Sequence, residues 1–424
     1  MTTSTIIQQQ NLPPATPRYI LRGHVSAIQA LHFFASNTRL ISADADGWIV
    51  IWDVATKRAR AVWKAHEGAV LEVKGYKTGQ GMRIYTHGRD HKLRVWRIKS
   101  TDEEELLSRI LPVERSSKEA ENQAPAPEPW LLHSLPVNAL NFCAFTLCFI
   151  PSLSDERVDD TEDEAYFAAP NALNSGAIDV FHLPSERRVS TIPVDTSVQT
   201  GMVMAVKILM DSNSQEPLVY MLSGYEDGHV MVHVSQQPES AKAWKWVKTY
   251  VSRPHSQPIL SLDSVQAATY HIPGFFYTSS ADALIVKHPI PSISAQMPSH
   301  IENTPSTVLN TKHSGQQGLC VRGDQKIFAT AGWDARIRVY SCKTMKELAV
   351  LKWHSEGCYA VSFADILSST STESPSTQDG DNSAPQTQNS PLEIVRLQRG
   401  QKAQQTHWLA AGSKDGKISL WDIY

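Results

Sequence analysis

Six histidines stand at the head of short apolar runs. They are His24 in "RGHVSAIQALHF", His66 in "KAHEGAVLEV", His133 in "LHSLPVNALNF", His255 in "RPHSQPILSL", His313 in "TKHSGQQGLCV" and His354 in "KWHSEGCYAVSF". Histidine changes charge near neutral pH, so such a set invites acid–base or metal chemistry. Asp44 and Asp46 can be read as an acid–base pair. Cys358, close after Trp353-His354, raises the question of a nucleophile, but it falls on or next to an apolar strand where a thiol stays inert. No fuller catalytic motif supports these readings: G-x-x-x-x-G-K-S/T, G-x-S-x-G and G-x-G-x-x-G are all missing from the sequence. The five cysteines, Cys143, Cys148, Cys320, Cys342 and Cys358, lack C-x-x-C spacing, which argues against a zinc or disulfide framework.

The histidines make better sense as one member of a repeat. The endings "SADADGWIVIWD" (Ser42–Asp53), "THGRDHKLRVW" (Thr86–Trp96), "TAGWDARIRVY" (Thr330–Tyr340) and "GSKDGKISLWDIY" (Gly412–Tyr424) share a pattern, with weaker copies at Ser223–His233 and Thr278–His288. In each, an Asp precedes an aromatic or histidine by six: Asp46/Trp52, Asp90/Trp96, Asp227/His233, Asp282/His288, Asp334/Tyr340 and Asp415/Trp421. A Ser or Thr lies four before the Asp except at Ala411. A degenerate seventh copy, "NALNSGAIDVF" (Asn171–Phe181), has Ser175 in the Asp place.

Strand, strand, tight turn and strand, seven times over, is the signature of a seven-bladed β-propeller, and the fold class is all-β. The pattern resembles WD-repeat proteins, with Gly23-His24, Trp52-Asp53 and Trp421-Asp422 as the signature pairs; it covers residues 18–424. In that family the histidine, the turn Asp, the Ser/Thr and the Trp form a buried hydrogen-bonded chain. The resemblance therefore implies structural sets His24, Ser42, Asp46 and Trp52; His66, Thr86, Asp90 and Trp96; His313, Thr330, Asp334 and Tyr340; and His354, Asp415 and Trp421. Asp44 is then left to solvent. Blades three and four have lost members of the set and are expected to be the least regular.

Each outer strand comes just before the next histidine, so nothing follows "WDIY" to cover the last strand. The spare strand is "RYILR" (Arg18–Arg22), which is expected to pair beside Lys417–Asp422 and close the ring. Residues 1–17 are expected to be a flexible tail. The long insertions, about 99–129, 152–165, 289–305 and 366–405, fall in a–b or c–d connections. They are mostly polar and expected to be disordered on one face of the disc. The opposite face, built of d–a loops and b–c turns, is the place for a structured partner. Its candidates are Trp48, Arg89, Glu226, Trp333 and Lys414, because Trp and Arg most often dominate interface energies.

Charge adds little: 40 basic and 43 acidic residues give −3, so no general draw toward nucleic acid or anionic lipid is expected. No signal peptide and no membrane-length apolar run is visible, and a soluble intracellular chain without cofactors is expected.

The stretches "YILRGHVSAIQALHF", "NTRLISADADGWIVIWDV", "AVWKAHEGAVLEV", "YTHGRDHKLRVWRI" and "HWLAAGSKDGKISLWDIY" resemble the fungal ASTRA-associated protein family. That resemblance implies a non-catalytic scaffold subunit of the ASTRA complex, residing in the nucleus. Its implied partners are RuvB-like AAA+ ATPases, Tel-two-interacting proteins and a large phosphatidylinositol-kinase-related protein. Its implied roles are chromatin remodelling and assembly of those kinases. A G-protein-β-like signalling subunit shares the ring, but that class carries an N-terminal coiled coil and no heptad run precedes Arg18. A propeller enzyme would need polar residues converging on the central channel, and "AIQALHF", "AVLEV", "ALNFCAF" and "AVSF" read as apolar.

Overall fold

The computed structural model describes residues 15–79, 81–99, 101–102, 107–115, 127–138, 140, 142–150, 164–211, 217–236, 244–265, 272–293, 300–367 and 391–423. Within these lie seven four-stranded antiparallel sheets arranged as a seven-bladed propeller. Blade one runs Ile28–Phe34, Arg39–Asp44, Trp48–Asp53 and Arg58–Lys64 from the inner strand a to the outer strand d. The inner strands of blades two to seven are Val70–Thr78, Thr146–Phe149, Val203–Asp211, Ile259–Asp263, Gln316–Val321 and Cys358–Phe363.

The burial pattern follows from stacking blade on blade. Middle strands are covered on both faces and read as continuous apolar runs, as in Ala165–Pro170 and Trp408–Ser413, every residue of which is buried. Outer strands such as Glu347–Lys352 keep one side in water. The tight b–c turn of blade one needs glycine where it meets the next loop. Gly47 has φ 90° and its carbonyl accepts the Ala65 and His66 N–H groups; a Cβ there would lie 1.8 Å from the His66 carbonyl oxygen.

The ring closes through Tyr19–Arg22, which pairs antiparallel with Lys417–Asp422 from Tyr19 opposite Leu420 to Arg22 opposite Lys417. Leu21 enters a core shared by blades seven and one, with Ile28, Trp52, Val62, Ile418 and Leu420. A bulge at the start of strand a recurs in six blades, for example between Val70 and Glu72 and between Cys358 and Ala360. Blade three lacks it and has an inner strand of 4 residues, as irregular as its sequence suggests. Blade four departs from expectation. Its inner strand of 9 residues carries the bulge, because Val206, Ile208 and Met210 pack against blade three whether or not a histidine is present.

Residues 1–14, 151–163 and 368–390 lie outside the described residues, and with them most of the tail, the acidic "SDERVDDTEDE" and the Ser/Thr/Gln-rich run. Three other insertion segments, each expected to be disordered, are built structure. In 289–305, Glu302 bridges to Tyr250, its N–H donating to the Thr249 carbonyl at 3.0 Å and its carbonyl accepting the Val251 N–H at 2.9 Å. Pro391–Gln405 is a helix, anchored where Trp408 Nε1 donates to the Ala403 carbonyl at 2.8 Å and Asn37 Nδ2 to that of Gln404 at 3.0 Å. Residues 107–115 do more than decorate their own face. The Val62 N–H donates to the Ser108 carbonyl at 2.8 Å, and the Val113 N–H to that of Gly23 at 3.0 Å, so the segment climbs the rim of blade one.

Candidate functional site

Each complete repeat set builds a directional relay. In blade one the Trp52 indole N–H can only donate, and it does so to Ser42 Oγ at 2.8 Å. Ser42 in turn bonds His24 Nε2 at 2.8 Å, and His24 Nδ1 bonds Asp44 Oδ2 at 2.7 Å. Asp44 Oδ1 accepts the Asp46 and Trp48 N–H groups, each at 3.0 Å, and so ties the b–c turn. The carboxylate in the relay is thus Asp44, which is wholly buried, while Asp46 is exposed and, among the described residues, accepts only the Ser26 hydroxyl. The expectation for this pair is reversed. Asp44 ends strand b opposite Ile28, at the position of Gly88 in blade two, and from there its carboxylate reaches the imidazole before Asp46 can.

Blade two keeps the expected set. Trp96 Nε1 donates to Thr86 Oγ1 at 3.0 Å, His66 Nε2 bonds Thr86 at 2.8 Å, and His66 Nδ1 bonds Asp90 at 2.8 Å. Burial lowers the His66 pKa. Burial also works to raise Asp90, but the His66 hydrogen bond and the charges of His66 and Arg94 hold that carboxyl well below its ordinary range. Blade five, a weak copy in sequence, is complete: His255 bonds Thr278 at 2.9 Å and Asp282 at 3.2 Å. His288 replaces the tryptophan and passes the chain on to the Tyr250 hydroxyl at 2.9 Å.

Blade seven finds its hydroxyl across the ladder. Ala411 lacks one, and Ser419, directly opposite, bonds His354 Nε2 at 2.9 Å and Trp421 Nε1 at 2.8 Å. Asp415 lies 3.6 Å from His354 Nδ1. In blade six the expected set does not assemble. His313 is exposed and 3.8 Å from Asp334, while buried Gln316 accepts the Thr330 hydroxyl at 2.7 Å. The cause is spacing: His313 precedes its inner strand by three residues where His24, His66, His255 and His354 precede theirs by four. Asp334 instead pairs with Arg338 at 2.5 and 3.1 Å, and Tyr340 stacks on Phe328 at 5.1 Å. His133 also leaves the set: it lies on an outer strand bonded to Glu186, and Asn138 stands in its place, donating to the Asn171 carbonyl. In blade four Ser223 meets the Tyr225 hydroxyl at 3.3 Å.

These relays are buried structure, and the relay histidines are closed to solvent. The central channel is less apolar than its sequence suggests. Lys207 pairs with Asp263 at 2.9 Å, and Asp263 also accepts the Val321 N–H at 2.8 Å, linking blades four, five and six. Lys74 lies 3.5 Å from Glu72, and His32 Nδ1 accepts the Gly75 N–H. Among the described residues no group of three or more His, Cys, Asp or Glu side chains could hold a metal ion.

The face of d–a loops and b–c turns carries the exposed features. Trp333 is 47% exposed; its ring lies flat on Gly315 (φ 72°) and its Nε1 donates to Gln317 at 2.7 Å. The indole is therefore held in place by its own blade, with one side facing water. Arg89, Glu226 and Lys414 are exposed on the same face. The Arg89 guanidinium stacks 4.6 Å from the Phe142 ring, and Glu226 accepts the Met202 N–H at 3.2 Å. Trp48 is half-buried against the blade-one core, with the Arg115 guanidinium 5.0 Å from its ring. Sequence reading missed Leu140 and Phe142 in the loop before blade three and Leu173 in its b–c turn, which are 67%, 61% and 96% exposed. The signal was present: apolar residues in "NALNF" lie ahead of the inner strand rather than on it.

Comparison with known sequences covers nearly the whole chain. The family described as ASTRA-associated protein 1 matches residues 17–421. A protein of that name from Aspergillus niger is 53% identical over 98% of this chain and 99% of its own. The one from Pyricularia oryzae is 38% identical over 97% and 98%. That from Schizosaccharomyces pombe is 33% identical over 82% and 93%.

Proposed function

The chain belongs to the ASTRA-associated protein 1 family, and we propose that it is a non-catalytic WD-repeat scaffold subunit of the ASTRA complex. The observation that carries this is the end-to-end match at 53% identity to a relative whose name states the association. In this reading the propeller presents the face of Arg89, Phe142, Leu173, Glu226, Trp333 and Lys414 to structured protein partners. Those partners are RuvB-like AAA+ ATPases, Tel-two-interacting proteins and a phosphatidylinositol-kinase-related protein, met in the nucleus. Chromatin remodelling and assembly of such kinases are the processes served. The aromatic and guanidinium character of the face supports the partner-binding role, since such groups dominate interface energies.

Purification of the tagged protein from native extract, followed by mass spectrometry, tests this. Recovery of the ATPases with the kinase-like protein is expected; recovery of G-protein subunits, or of no partner, would sink it.

A further inference from the structure

The rim carries a second surface, away from the face of the b–c turns. The outer strand of blade seven, Tyr19–Arg22, and the outer strand of blade one, Arg58–Lys64, flank a groove of about 890 Å³. It continues past Thr56, Lys57 and Arg58, which line both parts, into a hollow of about 680 Å³ beside the helix Pro391–Gln405. Cations crowd it: Arg22, Arg58 and Arg396 line the first part, Arg399 and Lys402 the second. Among the described residues these five have no carboxylate partner. The carboxylate that lines the groove, Asp422, is taken by Arg18 at 3.4 Å. In a chain of net charge −3, this is local segregation of charge. Lys57 adds to it. Its ammonium lies 4.1 Å over the Trp408 ring, and burial pulls its pKa down to about 8, although Asp53 works the other way.

The groove also offers backbone. Among the described residues, Tyr19–Arg22 is the last strand of its sheet and its outer edge pairs with no strand. Edge strands with free N–H and C=O groups accept an added strand, whose backbone supplies affinity and whose side chains supply specificity.

We propose that this rim groove binds an extended acidic peptide segment of a protein partner, its backbone laid along Tyr19–Arg22 and its carboxylate or phosphate side chains against the arginines. Guanidinium groups suit either oxyanion, through bidentate hydrogen bonds. A nucleic-acid strand fits less well. Base stacking needs exposed aromatic platforms, and of the aromatic lining residues Trp52 and Trp408 are buried, leaving only Tyr19 open. Four residues of edge span about 13 Å, enough for one short peptide segment but few phosphates.

The test uses the full chain and a labelled Glu/Asp-rich peptide, its phosphoserine counterpart and an oligothymidylate, followed by fluorescence anisotropy. Arg58 and Arg399 are exposed, so the double variant Arg58→Glu/Arg399→Glu keeps its fold, checked by an unchanged melting temperature. The expected result is peptide binding that weakens about tenfold or more in the double variant, and also between about 50 and about 200 mM salt. Tighter binding of the phosphoserine form would assign a phosphorylated partner as the source. Trp333→Ala binds like wild type, which separates this surface from the face proposed above. Failure of both peptides to bind, binding unaffected by the double variant, or tighter binding of oligothymidylate would overturn the proposal.

Discussion

Asp44→Ala is expected to destabilise the protein by about 3–5 kcal/mol, because each buried polar group left without its hydrogen-bond partner costs about 1–3 kcal/mol. The alanine would leave His24 Nδ1 without its acceptor and two N–H groups of the b–c turn unsatisfied. Asp46→Ala, two residues away, removes an exposed carboxylate and is expected to cost only about 0.5 kcal/mol. For a chain of this length the first corresponds to a fall in melting temperature of roughly 5 °C and the second to almost none. Thermal melts of the two variants decide the matter. Equal shifts, or a larger one for Asp46→Ala, would return the relay role to Asp46. The contrast is sharp because both residues are aspartates flanking one alanine, so composition and propensity are held constant.

A second large effect is a loss of stability as pH falls from about 6.5 to about 4. Burial lowers His87 from 6.5 to about 4, and does the same to His233. Well above pH 6.5 both rings are neutral in the folded and the unfolded chain, and neither contributes. As pH falls through 6.5 the unfolded chain takes up protons that the folded chain cannot, so the unfolded state gains. The loss saturates near pH 4, where the folded rings protonate too. Each gap is worth about 3 kcal/mol. His288 and His32, also lowered by burial, add to the same slope. Aspartates held low, such as Asp195 at about 2, where the charge and hydrogen bond of Lys248 and the bonds of Ser197 outweigh burial, matter only below that window. His87→Phe, in an apolar site against Phe145, is expected to flatten the slope of melting temperature against pH between 6.5 and 4. An unchanged slope would show that His87 does not titrate as described.

The architecture was legible because it is written seven times over, and chance cannot align that many turn–strand units. Even the closing strand could be placed, since Lys417–Asp422 had to have a neighbour and Arg18–Arg22 had no other partner. Register-dependent details were not legible. A tertiary fact decides which of Asp44 and Asp46 meets His24: where strand b ends relative to Ile28. His313 misses its relay by one residue of spacing, which similarity of motif conceals, and Gln316 carries no repeat signature. Ser419 serves His354 from the opposite strand, a substitution visible only once Ala411 and Ser419 are paired. The helix Pro391–Gln405 carried local signals, a starting proline, Glu393 in the first turn and Lys402 in the last, but polar flanks masked them. The rim path of residues 107–115 depends on contacts to Val62 and Gly23 that no local pattern encodes.

The face of b–c turns and d–a loops is proposed as the docking surface for the complex. The most direct measurement is quantitative recovery of ASTRA subunits from native extract by wild type, Trp333→Ala and Arg89→Glu/Phe142→Ala, all at matched melting temperature. The prediction is that both variants fold normally and lose at least part of the complex, Trp333→Ala most sharply, because truncating an interface tryptophan commonly costs about 2 kcal/mol or more, roughly a thirtyfold loss of affinity. Full recovery by both variants would contradict the account and move the docking surface elsewhere on the ring.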